Sequence, residues 1–295
     1  MLTPPFLKPG DTIGIVAPAR KISLAELQPA LDTIHSWGLQ TKLSKNLFDE
    51  SNQFSGTDEQ RAADLQDMLD DASVKAVISA RGGYGTLRIV DCIDFSGFFK
   101  APKWIIGYSD ITVLHSHLLV HGIETLHAPM PISFKRDSAS TESLRMALFG
   151  DLKGHEFPMH PLNRKGKAKA ELIGGNLSLL YALQASASDV DTKGKILFIE
   201  DLDEYLYHID RMMMSLKRSG KLEHLAGLVV GGMTEMKDNT VPFGKNAEEI
   251  IYDAVKEYSF PVCFGFPAGH ADVNLALYFG RKVSLEVGKK CLLEY

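Results

Sequence analysis

The chain has 295 residues, 45% of them hydrophobic and 23% charged, with a formal net charge of -5. That length supports two domains, because single cores stop growing near ~250–300 residues, and the composition supports a packed core rather than a disordered chain. Without a long basic block the sequence offers no dedicated nucleic-acid surface, and no run approaches the ~20 apolar residues of a membrane span.

Three widely separated cysteines, Cys92, Cys263 and Cys291, suit reduced thiols better than a disulfide framework or a paired-cysteine zinc site. The N-terminus lacks the basic start and apolar core of a signal peptide, so a cytoplasmic location is expected.

Residues 12–17 form an apolar run ending at Pro18, read as a buried strand. A helix is expected over 24–37, with Leu27, Leu31 and Ile34 on one face and Gly38 as its stop. Pro29 is expected to kink that helix or move its start later. A second strand falls near 39–43, the Thr57-Asp58-Glu59-Gln60 capping box opens a helix through Leu69, and 74–80 is a third strand. Strand and helix alternate, which predicts a parallel sheet covered on both faces.

The third strand runs into Arg81-Gly82-Gly83-Tyr84-Gly85, after which a helix through Leu87, Val90 and Ile93 is expected. This loop matches neither the dinucleotide fingerprint nor the P-loop. At the carboxyl end of a strand, where open α/β sheets bind ligands, it reads as an oxyanion hole or a substrate-lining loop. A fourth strand at 103–107 then meets a tight turn carrying Ser109, followed by a helix that Gly122 stops. A hydroxyl on such a turn follows the logic of a nucleophile elbow; the alternative is that Ser109 or Asp110 only caps the helix. The backbone N–H groups of Gly83 and Asp110 are the candidate oxyanion donors.

Between 137 and 169 the composition shifts to Ser, Lys, Pro and His with one short helical patch, read as an exposed linker where proteases cut first. The second half opens with a strand, the turn Gly174-Gly175-Asn176 and a helix. A buried strand over 195–204 ends in Glu200, Asp201, Asp203 and Glu204. A helix at 205–219, a strand at 225–232, a helix at 247–258, a strand and loop at 261–272, and strands near 275–278 and 283–287 complete a smaller mixed-sheet domain.

Glu200, the first carboxylate after Phe198 and Ile199, is expected to be more enclosed than those following, although an ion pair with Arg211 or a helix-start charge for the next helix is an alternative role. His270 lies in a Gly-Phe-Pro-Ala-Gly-His loop rather than on an apolar face, with a satisfied surface histidine as the alternative. His117 and His121 have i, i+4 spacing but no metalloprotease carboxylate between them, so no metal is expected. A loop histidine, a strand-end glutamate and an elbow serine supply base, orienter and nucleophile.

Taken together, the Arg81–Gly85 loop, Gly107-Tyr108-Ser109-Asp110, Gly174-Gly175-Asn176-Leu177, Glu200-Asp201 with Tyr207, Asp210 and Arg211, and the Gly265-to-His270 loop resemble the LD-carboxypeptidases. That family includes muramoyltetrapeptide carboxypeptidases and microcin C self-immunity peptidases, and the resemblance covers nearly the whole chain in order. It implies Ser109 as nucleophile, His270 as base and then acid, Glu200 as its orienter, and an oxyanion hole from Gly83 and Asp110. Arg81, Tyr84 and Asn176 are candidate substrate contacts.

The resemblance also implies an α/β fold with an N-terminal flavodoxin-like parallel sheet domain (1–137), a linker (138–168) and a C-terminal β-rich domain (169–295), with the site in the cleft between them. The implied activity is metal- and cofactor-free release of D-alanine from murein tetrapeptides during cell-wall recycling, by a homodimer with no nucleic-acid or membrane partner. Ile111 stands where an α/β-hydrolase elbow has its second glycine, so that fold is not expected. Two alternatives stand beside this reading: a peptidase acting on aminoacyl-nucleotide peptides, for which 137–169 offers few aromatics, and a non-catalytic small-molecule binding module.

Overall fold

In the computed structural model, which describes residues 1–295, the first apolar runs build one sheet. Strands β1 (Thr12–Val16), β2 (Gln40–Leu43), β3 (Val74–Ser79), β4 (Trp104–Gly107) and β5 (Thr125–His127) alternate with helices α1 (Leu24–Ser36), α2 (Asp58–Asp70), α3 (Ser96–Lys100) and α4 (Thr112–Val120). The five strands are parallel in the order β2-β1-β3-β4-β5, the flavodoxin-like arrangement. Alternation along β1 explains the two covered faces: Ile13 and Ile15 pack with Leu27, Leu31 and Ile34 of α1, while Val16 joins Leu65, Met68 and Leu69 of α2.

Helix α1 runs through Pro29 without ending there. Its start is fixed by a Ser23/Glu26 capping box, and the carbonyl that Pro29 leaves without a helical partner belongs to Ala25, which is exposed to solvent. After the glycine loop the expected helix is instead two short 3-10 turns, Thr86–Arg88 and Val90–Cys92.

The segment 138–168 is not a loose connection. It carries α5 (Ser138–Phe149) and β6 (Gly154–Phe157), and Leu144, Ala147 and Leu148 of α5 are fully buried in the first core. The serines that gave this stretch its polar look are internal: Ser140 Oγ and Ser143 Oγ accept hydrogen bonds from the backbone N–H groups of Asn274 and Ala276 at 2.8 and 2.9 Å.

The second sheet contains β7 (Gly166–Asn176), β8 (Ile196–Leu202), β9 (Gly227–Thr234), β10 (Val262–Cys263), β12 (Lys282–Val287) and β13 (Cys291–Glu294), and β6 completes its seven strands in the order β10-β9-β8-β7-β12-β13-β6. β7 pairs antiparallel with β12 up to Glu171 and parallel with β8 from Leu172 onward. Helices α6 (Leu177–Ala182), α7 (Leu206–Arg218) and α8 (Ala247–Val255) contribute to its core, α7 through Ile209, Met212, Met213 and Leu216. The remaining strand, β11 (Leu277–Phe279), crosses over and pairs antiparallel with β5, giving the first sheet an edge strand from the C-terminal half. No helix is long and apolar enough to cross a membrane.

Candidate active site

Ser109 directly follows β4 and Tyr108, at the start of a 3-10 turn over Ser109–Ile111 that leads into α4. Its φ is +63°, in the left-handed region that a residue with a Cβ enters at a cost of about 1–3 kcal/mol. The turn is tight because Gly107 has no side chain: a Cβ there would lie 2.7 Å from Ile111 Cγ1. Ile111 thus fills space beside the first glycine of the elbow. Buried His115 braces the same corner, its Nε2–H donating to the Gly107 carbonyl at 2.9 Å, and burial lowers its pKa to about 3, so the ring is neutral.

The glycine loop is tied to this elbow. Asp110 is buried, and its Oδ2 accepts the Thr86 N–H at 2.8 Å. Buried Arg61 donates to the Gly85 and Pro18 carbonyls and pairs with Asp58. Nothing in the sequence marked Arg61 as part of this frame. Gly82 packs close to the serine, where a Cβ would sit 3.2 Å from Ser109 Cβ, and Gly83 has a φ of +118°. The N–H groups at the start of a helical turn have no partner within it, which applies to Asp110 here.

Across the cleft, Gly175 docks the second sheet on α4: a Cβ there would lie 2.4 Å from Thr112 Oγ1, and that hydroxyl accepts the Asn176 N–H at 2.9 Å. Glu200, near the end of β8, is completely buried. Its Oε2 accepts from His270 Nδ1–H at 2.6 Å and from the His270 backbone N–H at 3.0 Å. The histidine loop is seated on β9. A Cβ at Gly232 would lie 2.7 Å from the His270 carbonyl oxygen, and Thr234 Oγ1 donates to that oxygen at 2.6 Å. The same part of the sheet carries a register shift between Ile199 and Asp201 of β8 against β9, the kind of irregularity that re-aims a side chain.

Burial disfavours protonated His270, but the neighbouring Glu200 charge and hydrogen bond outweigh it and hold its pKa above the ordinary histidine value. For Glu200, burial pushes upward and the His270 charge and hydrogen bonds prevail, holding it below the usual glutamate value. With Nδ1 committed to Glu200, the other ring nitrogen, Nε2, is left for proton transfer.

Ser109 and His270 line one cavity of about 460 Å³, together with Gly82, Gly83, Arg81 and Asn176. No hydrogen bond joins the serine to the histidine; they meet across the cavity. Asn176 is largely engaged already, its amide donating to Asp201 at 2.9 Å and its oxygen capping α6. Tyr84 lies outside the cavity, exposed and packed against Phe54 with ring centres 6.2 Å apart. The cavity also contains Arg20, Arg136 and Ser178, which no sequence motif announced, and Asp203 and Glu204 from the acidic run at the end of β8. Asp201 accepts hydrogen bonds from Asn176, Ser178 and Leu202, while burial and the Glu200 charge push it up to about 6. His117 and His121 pack against Phe95 and Phe99 respectively with tilted rings, and no group of three or more His, Cys, Asp or Glu side chains is arranged to hold a metal ion.

Comparison with known proteins places this two-sheet architecture among the peptidases. Residues 13–128 match the LD-carboxypeptidase N-terminal domain and residues 169–285 the LD-carboxypeptidase C-terminal domain. The chain belongs to the LD-carboxypeptidase family. It is 38% identical to a probable murein peptide carboxypeptidase of Bacillus subtilis (strain 168), over 97% of this chain and 92% of the relative. A murein tetrapeptide carboxypeptidase of Pseudomonas aeruginosa is 29% identical over 93% of this chain and 92% of its own length. Among solved structures, a muramoyltetrapeptide carboxypeptidase from Oxalobacter formigenes superposes with a TM-score of 0.87 at 27% identity, covering 96% of this chain and 97% of that one. The fold is shared with MccF in complex with glutamyl sulfamoyl guanosine, at 19% identity and a TM-score of 0.86 over 98% of this chain and 97% of that one.

Proposed function

We propose that the protein is a serine carboxypeptidase that releases terminal D-alanine from murein tetrapeptides, with Ser109 as nucleophile, His270 as base and then acid, and Glu200 as its orienting anion. The observation that carries this reading is the buried Glu200–His270 pair, joined at 2.6 Å, sharing a cavity with a serine held at φ +63°. A binding module has no need of a base buried against a carboxylate opposite a strained hydroxyl.

In this mechanism His270 Nε2 takes the Ser109 proton as Oγ attacks the carbonyl carbon of the scissile bond. Negative charge moves to the carbonyl oxygen, where the N–H groups of Gly83 and Asp110 donate to it. The same proton passes to the leaving amine, free D-alanine departs, and water hydrolyses the acyl-enzyme by the reverse proton route. Because a serine activated by a base needs no Lewis acid, exhaustive chelation is expected to leave activity intact.

A role in recycling, with the reaction in the cytoplasm and a homodimeric enzyme, accompanies this proposal through the family resemblance; light scattering checks the dimer. The cell-wall substrate is preferred over an aminoacyl-nucleotide peptide because the relatives aligned over nearly the whole chain are named for murein peptides. Among Phe, Tyr and Trp side chains, moreover, only Tyr108 lines the cavity, and its ring already packs 5.0 Å from His270. The test is incubation with L-Ala-γ-D-Glu-meso-diaminopimelate-D-Ala and its L-Lys counterpart, with free D-alanine read by mass spectrometry. Release is expected; no release from either, with tight binding of an intact small molecule, would favour the binding module.

A further inference from the structure

An exopeptidase must recognise the free end of its substrate, and three arginines, Arg20, Arg81 and Arg136, line the cavity. Arg81 is already held by Glu26 at 3.6 Å. The other arginine ion pairs in the molecule belong to Arg61, Arg88, Arg145 and Arg281, which leaves Arg20 and Arg136 free.

The chemistry decides between these two. His270 delivers a proton to the leaving nitrogen, so that nitrogen must come to rest beside the ring. The carboxylate carbon of the released residue lies only about 2.5 Å from it, across two covalent bonds. A charge-assisted hydrogen bond adds about 2.8 Å. The cation that reads the carboxylate must therefore stand on the histidine side of the serine.

Arg20 is on the other side. Its stem lies against Gly83, where a Cβ would meet Arg20 Cδ at 2.5 Å, beside the loop that would receive the carbonyl oxygen. Arg136 borders both the main cavity and a side pocket of about 250 Å³ that opens along His270, Thr234 and Ala271. Glu235 and Asp272 also line that side pocket, so Arg136 is its one cation besides a protonated histidine. The residue sits between a 3-10 turn at Pro131–Ser133 and the α5 cap at Asp137, on the wall contributed by the first sheet.

We propose that Arg136 binds the terminal carboxylate of the peptide and thereby restricts the site to exopeptidase cleavage, an assignment that rests on the serine-peptidase reading given above. Arginine suits this task because its planar fork matches a carboxylate with two parallel hydrogen bonds. The contact is made equally with substrate and transition state, so its loss should appear mainly in KM.

The test compares the tetrapeptide with a free C-terminus and the same peptide as its C-terminal amide, on the parent, Arg136→Gln, Arg136→Lys and Arg20→Gln. The parent should prefer the acid. Arg136→Gln should lose most of that preference, with kcat/KM on the acid falling about 10- to 100-fold and on the amide changing little. Arg136→Lys should keep an intermediate preference, since it retains the charge and loses the fork, and Arg20→Gln should keep the parental one. Unfolding midpoints separate these effects from loss of structure, and an exposed side chain makes each variant expected to fold. Undiminished acid preference in Arg136→Gln, or its loss in Arg20→Gln instead, would overturn the assignment. A parent enzyme that cleaves neither peptide would give a different failure, that of the peptidase reading itself, and the subsite would fall with it.

Discussion

One oxygen of Glu200, Oε2, receives two hydrogen bonds from His270, from ring Nδ1 at 2.6 Å and from the backbone N–H at 3.0 Å. The ring and the loop that carries it are thus anchored to the same buried anion. That anion keeps the imidazole in the tautomer whose Nε2 faces the cavity and makes it harder to deprotonate.

The sign of the resulting pH effect is fixed. In the proposed mechanism His270 must be neutral to accept the serine proton, and Glu200 raises its pKa, so the acid limb of kcat/KM should lie above the pH expected for an ordinary histidine. Glu200→Gln removes the charge and should move that limb to lower pH, while lowering the plateau about 10²- to 10⁴-fold. A limb that stays in place in Glu200→Gln and moves in Asp201→Asn would transfer the orienting role to Asp201.

Gly269 is required by the same contact. Its φ is +86°, and a Cβ there would lie 2.4 Å from Glu200 Cγ. Gly269→Ala should cost about 1–3 kcal/mol from backbone strain alone, read as a lower thermal midpoint. Activity should fall further than the folded fraction, because the added methyl group displaces the pair that orients His270. Activity proportional to the folded fraction would show that the loop tolerates the change.

Most of the parallel sheet was legible because β1, β3 and β4 are largely apolar runs and α1 and α2 open on capping boxes, as at Thr57 and Gln60. The elbow, the strand-end glutamate and the loop histidine each stood at a boundary between a run and a turn, and the structure puts all three at the edges of strands or in the loop against them. Less was visible where contacts are long-range. Strand β11 is three residues long and joins a sheet otherwise formed some 150 residues earlier, which no local pattern encodes. α5 looked like linker because its serines are polar, and only their partners 133 and 134 residues away make them interior. Arg20 and Arg136 had no signal at all, since an isolated arginine in a loop reads as solvated until a cavity is seen beside it.

The packing of 138–168 into the fold changes where proteases should act. Residues 237–246 are exposed throughout and lack regular structure beyond one isolated bridge at Lys237, with Val241 81% exposed, whereas α5 is anchored by its buried face and by Tyr278, whose hydroxyl donates to the Ala147 carbonyl at 2.6 Å. Limited digestion should therefore cut first between 237 and 246, at Val241 or Phe243 with proteases that accept apolar residues. First cuts within 138–168 would restore the exposed-linker view of that segment.

The most direct measurement of the central claim is single-turnover D-alanine release by the parent, Ser109→Ala, His270→Ala and the double variant, each verified as folded. If Ser109 and His270 act as one catalytic unit, each single variant should lose about 10⁴-fold or more, and the double variant should be scarcely slower than either. Parental release rates in Ser109→Ala, or losses in the double variant that multiply as if the two residues were independent, would contradict it.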